Sequence, residues 1–197
     1  MTWPTSMTDE QAMWRVQNED DHAAFAQLVQ RWEAPIQRLC ARMTGDLHKA
    51  EDLAQEAFTR VFHKRHDFNP TAKFSTWLWR IAINLCHDEQ RRRMRRPELS
   101  IESTGNGEED RPQMEFASGD GGPAEAMQAL ERAEQVRRAL MKLPEHYRGV
   151  VILRHYENLK FQEIAEVLGI PEGTVKSRMF EGLARLAVLL RDVRNPD

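Results

Sequence analysis

Two cysteines, Cys40 and Cys86, are all that this 197-residue chain contains, and no CxxC pairs them. That excludes a disulfide-stapled scaffold and a zinc ribbon, and it points to a reducing, cytoplasmic compartment. Both sit among apolar helix positions and read as small core residues. No apolar run approaches the roughly 20 residues that a bilayer-spanning helix needs. The opening MTWPTSMTDEQ has neither a basic start nor an apolar core, so it does not read as a signal peptide, and Met7 offers an alternative start. Catalytic signatures are missing too. There is no Gly-rich phosphate loop, no HExxH and no nucleophile elbow. His63 and His66 lie close together, but no third or fourth ligand stands nearby, so no metal, no cofactor and no enzymatic activity are expected.

One sign of charge is also short overall: the net charge is -3. Its distribution matters more than its sum. Residues 1–97 carry 15 Lys/Arg against 13 Asp/Glu; residues 98–125 carry one Arg against 8 acids; residues 126–197 carry 12 against 10. Two mildly basic blocks flank an acidic middle, a pattern compatible with a nucleic-acid partner that the net charge alone would disfavour. The middle, PELSIESTGNGEEDRPQMEFASGDGGPAEA, is rich in Gly, Pro, Ser and acids and has no apolar periodicity. It reads as a flexible linker between two small bodies.

Strand alternation is absent, and both bodies read as helical, which makes the fold class all-α: two small helical domains, residues 1–97 and 126–197, joined by the acidic linker. In the first, Phe25, Leu28, Val29, Trp32, Ile36, Leu39, Cys40 and Met43 recur at helical spacing, with Pro35 a candidate kink. HKAEDLAQEAFTRVFHKR then places Ala50, Leu53, Ala54, Ala57, Phe58, Val61 and Phe62 on one face and Asp52, Gln55, Glu56 and Thr59 on the opposite one. The loop HDFNPTAK follows, with Asn69-Pro70 disfavouring helix. In FSTWLWRIAINLCHDEQRRRMRR the buried stripe is Phe74, Trp77, Leu78, Ile81, Ala82 and Leu85, with Ser75 or Thr76 near the N-cap. Trp79 and Ile83 project away from that stripe, which makes Trp79 the better exposed aromatic.

In the second body, Leu130, Ala133, Val136 and Leu140 mark one helix and Pro144 the start of another. Phe161, Ile164, Ala165 and Leu168 form a short face ended by Gly169; Pro171 opens a last helix with core positions Val175, Met179, Gly182, Leu183 and Leu186. Two helices joined by a tight glycine-containing turn describe a helix-turn-helix. Its outward face offers Ser177, Phe180, Glu181 and Ala184, flanked by Lys176, Arg178 and Arg185. Ser177 and the backbone NH groups up to Thr174 suit phosphates.

Five arginines in the six residues 91–96 bind phosphate backbones well. Beside them, flat aromatic side chains stack on exposed bases at about 1–3 kcal/mol each. A helix offering Trp, Arg and Asn suits single-stranded or melting DNA better than a closed duplex. The acidic strip on the preceding helix is either a solvated face or a protein-docking face.

The strings DDHAAFAQLVQRW, AEDLAQEAFTRVF, FSTWLWRIAINLCHDEQRRRMRRP and LPEHYRGVVILRHYENLKFQEIAEVLGIPEGTVKSR resemble, in order, those of bacterial RNA polymerase sigma factors of the extracytoplasmic-function group. The resemblance covers nearly all of the chain outside the linker and the first few residues. It implies an N-terminal region 2, a C-terminal region 4, and core RNA polymerase and promoter DNA as partners. Asp52, Gln55, Glu56 and Thr59 become core-binding candidates. The loop Asp67 to Lys73, with Phe68, Asn69 and Lys73, would capture a flipped-out base, and Trp77, Trp79, Arg80, Asn84, Arg91 and Arg92 would face the −10 element. Thr174, Lys176, Ser177, Arg178, Phe180 and Glu181 would face the −35 element. An anti-sigma factor is a further partner that such proteins commonly have.

One departure stands out. Many relatives carry a basic residue where this chain has Glu181. A carboxylate there repels phosphate but accepts from cytosine N4. The alternative to a sigma factor is a stand-alone helix-turn-helix regulator, which would leave the whole first body without a role. A nucleic-acid enzyme, the third class, lacks catalytic residues.

Overall fold

A computed structural model of the chain describes residues 7–95 and 123–194. Arg96 and all but the last three positions of the linker expected at 98–125 lie outside the described residues. The final helix-turn-helix body begins a little before the expected boundary, with its first helix starting at Pro123.

The described residues form eight α-helices and no strand. The N-terminal body holds α1 (Asp9–Glu19), α2 (His22–Thr44), α3 (Leu47–His63) and α4 (Phe74–Arg95). The C-terminal body holds α5 (Pro123–Lys142), α6 (Glu145–His155), α7 (Phe161–Leu168) and α8 (Glu172–Arg194). Polar residues set most of the starts. Thr8 and Gln11 make a reciprocal capping box on α1. Asp21 accepts from the backbone NH of Ala23 and Ala24, and Asp46 from that of Lys49. Pro35 lies inside α2 without dividing it. The α4 helix begins at Phe74, so Ser75 and Thr76 fall inside its first turn and are not its cap. The Phe74 NH is taken instead by the carboxylate of Glu10 from α1, at 3.1 Å. Gly45 and Gly169 end α2 and α7 in the left-handed region, at φ 74° and 65°.

The sequence leaves the mutual orientation of the two bodies open; the structure packs them into one apolar core. Leu28, Ile36, Leu39, Met43, Phe74, Leu78 and Ile83 of the first body are continuous with Val150, Ile152, Leu153, Ile164, Val167 and Val175 of the second. Leu140, Leu143 and Val151 form a smaller cluster alongside. The approach of the bodies is close at Gly45. A Cβ there would sit 2.7 Å from the Met141 sulfur of α5, which a flexible methionine can yield, so it is the left-handed dihedral that favours glycine.

Arg148 closes the seam. It is buried on α6 among apolar residues. Its guanidinium donates to the carbonyls of Leu140 (2.9 Å), Met141 (2.8 Å) and Leu143 (2.9 Å), around the C-terminal end of α5. It also donates to that of Met43 (2.6 Å), in the last turn of α2. Carbonyls at a helix C-terminus have no partner within the helix. One planar fork of five NH donors therefore caps two helices from different bodies at once. Lysine, with a single compact ammonium, cannot span four carbonyls in that geometry. We expect Arg148→Lys to lower unfolding stability by about 2–4 kcal/mol, since buried carbonyls are left unpaired. Urea denaturation followed by circular dichroism reads this, and an unchanged midpoint contradicts the shared-cap assignment.

Candidate nucleic-acid interface

Three surfaces correspond to the residues singled out in the sequence. The first is the outer face of α3. Ala50, Leu53, Ala54, Ala57, Phe58 and Val61 are buried, as the periodicity predicts. Asp52, Gln55, Glu56 and Thr59 are therefore left exposed in a single strip. Asp52 pairs with Lys49 at 3.1 Å and Glu56 with Arg60 at 2.9 Å. Both pairs are solvent-screened and cost little to exchange for a partner's cations.

The second surface is the loop before α4 and the outer side of α4. Here the structure corrects two expectations. Trp79 is 4% exposed and meets Trp32 edge-on, with ring centroids 5.6 Å apart. Ile83 is buried as well. The buried side of α4 is wider than the stripe read from spacing, because α1, α2, α3 and α7 all pack on it, and Trp79 lies against Trp32 of α2. Trp79 thus holds the fold and offers no stacking face. Trp77 is the half-buried tryptophan of the pair and the one with surface to offer. Phe68 is buried too, edge-on to Phe74 and tilted against Trp77. It anchors the loop from beneath. Gln17 of α1 pins the same loop by donating to the carbonyls of His66 and Phe68.

The remaining candidates on this side are exposed: Asn69, Lys73, Arg80, Asn84, Arg91 and Arg92. The Asn69 side-chain oxygen accepts from the NH and hydroxyl of Thr71 and shapes the loop. Lys73 and Arg80 are engaged by α7. Lys73 pairs with Glu163, and the Arg80 guanidinium donates to the Glu166 carbonyl. Glu163 raises the Lys73 ammonium above its usual value, and Lys73 holds Glu163 below the usual carboxylate range. The arginine run is partly committed inside the molecule. Arg92 pairs with the buried Glu89, and Arg93 reaches Asp46 at 2.7 Å, while Arg91 stays 3.9 Å from Asp88.

The third surface is the start of α8. Lys176, Ser177, Phe180 and Glu181 are exposed, and Thr174 and Arg178 partly so. Phe180 is 75% exposed. Lys176 is held by Glu172 at 2.7 Å, and the Ser177 hydroxyl donates to the Thr174 carbonyl at 3.1 Å. Val175 and Gly182 are buried as expected, but Leu183, expected in the core, is 47% exposed. Gly182 takes the inner position, where a Cβ would lie 3.1 Å from Val151, and that turns Leu183 outward.

The sequence reading missed the residues that join the bodies. Arg42 pairs with Glu157 at 3.2 Å and lies over the Tyr156 ring at 4.3 Å. Burial pushes Arg42 down and Glu157 up, each toward neutrality, and the pair offsets this only in part. His87 of α4 faces Glu145 of α6 at 3.4 Å, and burial keeps its imidazole below its usual value. The two cysteines, distant in sequence, meet in the core; contact with Cys40 and burial push the Cys86 thiol well up, as suits inert packing residues. Among the described residues there is no cluster of potential metal ligands and no helix long and apolar enough to cross a membrane.

An all-helical two-body chain, with an exposed acidic strip and an arginine-ended helix on one body and a helix-turn-helix on the other, has the make-up of a DNA-binding protein. Comparison with known proteins gives the family. Residues 28–96 match the model of Sigma-70 region 2, and residues 133–186 that of Sigma-70, region 4. The chain is 40% identical over 174 residues to the ECF RNA polymerase sigma factor SigW of Bacillus subtilis, covering 88% of this chain and 92% of SigW. It is 33% identical to the ECF RNA polymerase sigma-E factor of Escherichia coli K12, covering 88% and 90%. The fold matches CnrH in complex with the cytosolic domain of CnrY, at 23% identity and a TM-score of 0.67 over 93% of this chain and 97% of that one. It likewise matches the Bartonella quintana sigma factor RpoE in complex with the anti-sigma factor NepR, at 24% and 0.66 over 85% and 96%. The chain belongs to the sigma-70 family and, within it, to the extracytoplasmic-function sigma factors.

The burial pattern separates the two tryptophans of α4. Trp79→Ala should destabilise the fold by about 3–5 kcal/mol, as for other buried aromatics. Trp77→Ala should cost clearly less. Urea unfolding of the two variants side by side checks this, and equal losses contradict the assignment.

Proposed function

We propose that this chain is a promoter-specificity subunit: it binds core RNA polymerase, and the resulting holoenzyme recognises −35 and −10 DNA and opens it. The observation that carries the reading is the presence, in one chain and in order, of region 2 and region 4 matches together with an exposed docking strip. A stand-alone helix-turn-helix regulator would leave the region 2 body without purpose.

Three roles follow for the surfaces. The strip Asp52, Gln55, Glu56 and Thr59 docks on the polymerase. Lys73, Trp77, Arg80, Asn84, Arg91 and Arg92, with the loop carrying Asn69, hold the −10 strand as it opens. Base flipping costs a few kcal/mol, and stacking with phosphate contacts must offset it. Lys176, Ser177, Arg178 and Phe180, with Thr174 at the helix start, read −35 DNA in the major groove. Glu181 among them favours a cytosine or weakens contact with the backbone. The chain acts without catalysis of its own, on DNA in the cytoplasm. The fold it shares with a sigma factor bound to an anti-sigma factor supports a partner of that kind here.

Reversing charge on the α3 strip tests the docking role. Asp52→Arg with Glu56→Arg touches only exposed side chains, so the fold should persist. Affinity for core polymerase should fall by about a hundredfold or more, because like charges at a charged interface cost several kcal/mol. Unchanged affinity in a titration with labelled protein removes the docking assignment.

A further inference from the structure

We propose that α7, the first helix of the helix-turn-helix, doubles as an intramolecular plug on the −10-reading surface, with Glu163 taking on Lys73 the place of a DNA phosphate. This rests on the −10 role assigned above to Lys73 and Arg80.

The geometry is specific. The two exposed cations nearest the start of α4 are the two that α7 occupies: Lys73 by the Glu163 carboxylate, and Arg80 by the Glu166 carbonyl. The Glu166 charge acts on Lys73 as well. Glu163 is held in position, since its other oxygen accepts from the Lys160 NH at 2.8 Å and caps α7. Ile164 and Val167, on the inner side of α7, are buried in the core shared with the N-terminal body. Both cations keep exposed surface, so a strand that binds them must displace Glu163 from Lys73 and the Glu166 carbonyl from Arg80. The plug is asymmetric: Lys176, Ser177, Phe180 and Glu181 stay exposed on α8. The closed chain leaves its −35 surface clear of the other body and ties up two cations of its −10 surface.

Beside the shared apolar core and the Arg148–Met43 bond, the ion pairs across the seam are of modest strength. Arg42–Glu157 is half-buried and offset by desolvation, and Lys73–Glu163 is exposed on the lysine side. Such contacts suit a state that must be opened by a competitor. Apparent affinity for a −10 strand is then the intrinsic affinity reduced by the fraction of open chain.

The test uses the full-length chain without polymerase. Glu157→Gln, Glu163→Gln and Glu166→Gln are combined; the amide that replaces the Glu163 carboxylate retains an oxygen to cap α7, so the helix is preserved. A fluorescent single strand bearing the −10 motif of a mapped start site is titrated against wild type and variant, with a scrambled strand alongside, and small-angle scattering reports the separation of the bodies. The variant should have a larger radius of gyration and bind the motif strand about tenfold more tightly, with a change of less than about twofold for the scrambled strand. Unchanged affinity overturns the plug, whether the bodies have separated or stayed closed. Equal gains for both strands overturn it too, since they reflect only the lost negative charge. Failure of the underlying −10 reading is seen separately. Lys73→Ala with Arg80→Ala, assembled with core polymerase, would then leave transcription from the same start site unaltered.

Discussion

The shared cap made by Arg148 is the contact on which the arrangement of the molecule depends. Each α-helix ends in carbonyls that need donors, and α2 and α5 end side by side at the meeting of the two bodies. A single guanidinium serves both, at 2.6–2.9 Å. Three of its four bonds stay within the C-terminal body. The fourth, to Met43, crosses to the other body. The glycine at position 45, at φ 74°, ends α2 beside the Met141 side chain of α5, and its left-handed backbone is what favours glycine there. With α5 and α6 fixed there, α7 falls on α4, and the pairs at Arg42, Lys73 and His87 fall into place around it.

The helical class, the helix-turn-helix and the exposed strip on α3 were legible in the sequence because each rests on local physics. The α3 stripe Ala50 to Val61 leaves Asp52, Gln55, Glu56 and Thr59 on the outside by periodicity alone. Gly169 and Pro171 mark the turn because a left-handed cap and a fixed φ are properties of those residues. The first helix was also signalled, by Thr8 three residues before Gln11, although the apolar stripe as read began only at Phe25.

What failed to show was non-local. Trp79 reads as exposed on a helix with one buried face; it is buried because helices pack on α4 from several sides, α2 with Trp32 among them. Leu183 reads as core until Gly182 is seen to take the inner position against Val151. Phe68 looks like a free aromatic in a loop, but packs under Phe74 and Trp77. No periodicity could reveal that Arg148 would reach Met43, 105 residues away. The one sequence signal was its oddity, a charged residue at the head of the apolar run GVVIL. The pairing of Lys73 with Glu163 had no local signal at all.

The charge pattern now has a consistent account. A net-acidic chain exposes cations before and along α4 and at the start of α8, and pairs several of them internally, with Glu89, Asp46, Glu163 and Glu172. The most direct test of the sigma-factor reading is run-off transcription on fragmented genomic DNA with purified core polymerase and this chain, followed by sequencing of the transcripts. The account predicts tight core binding and new start sites sharing a two-part upstream motif. Folded protein that neither binds core polymerase nor adds any start site would contradict it.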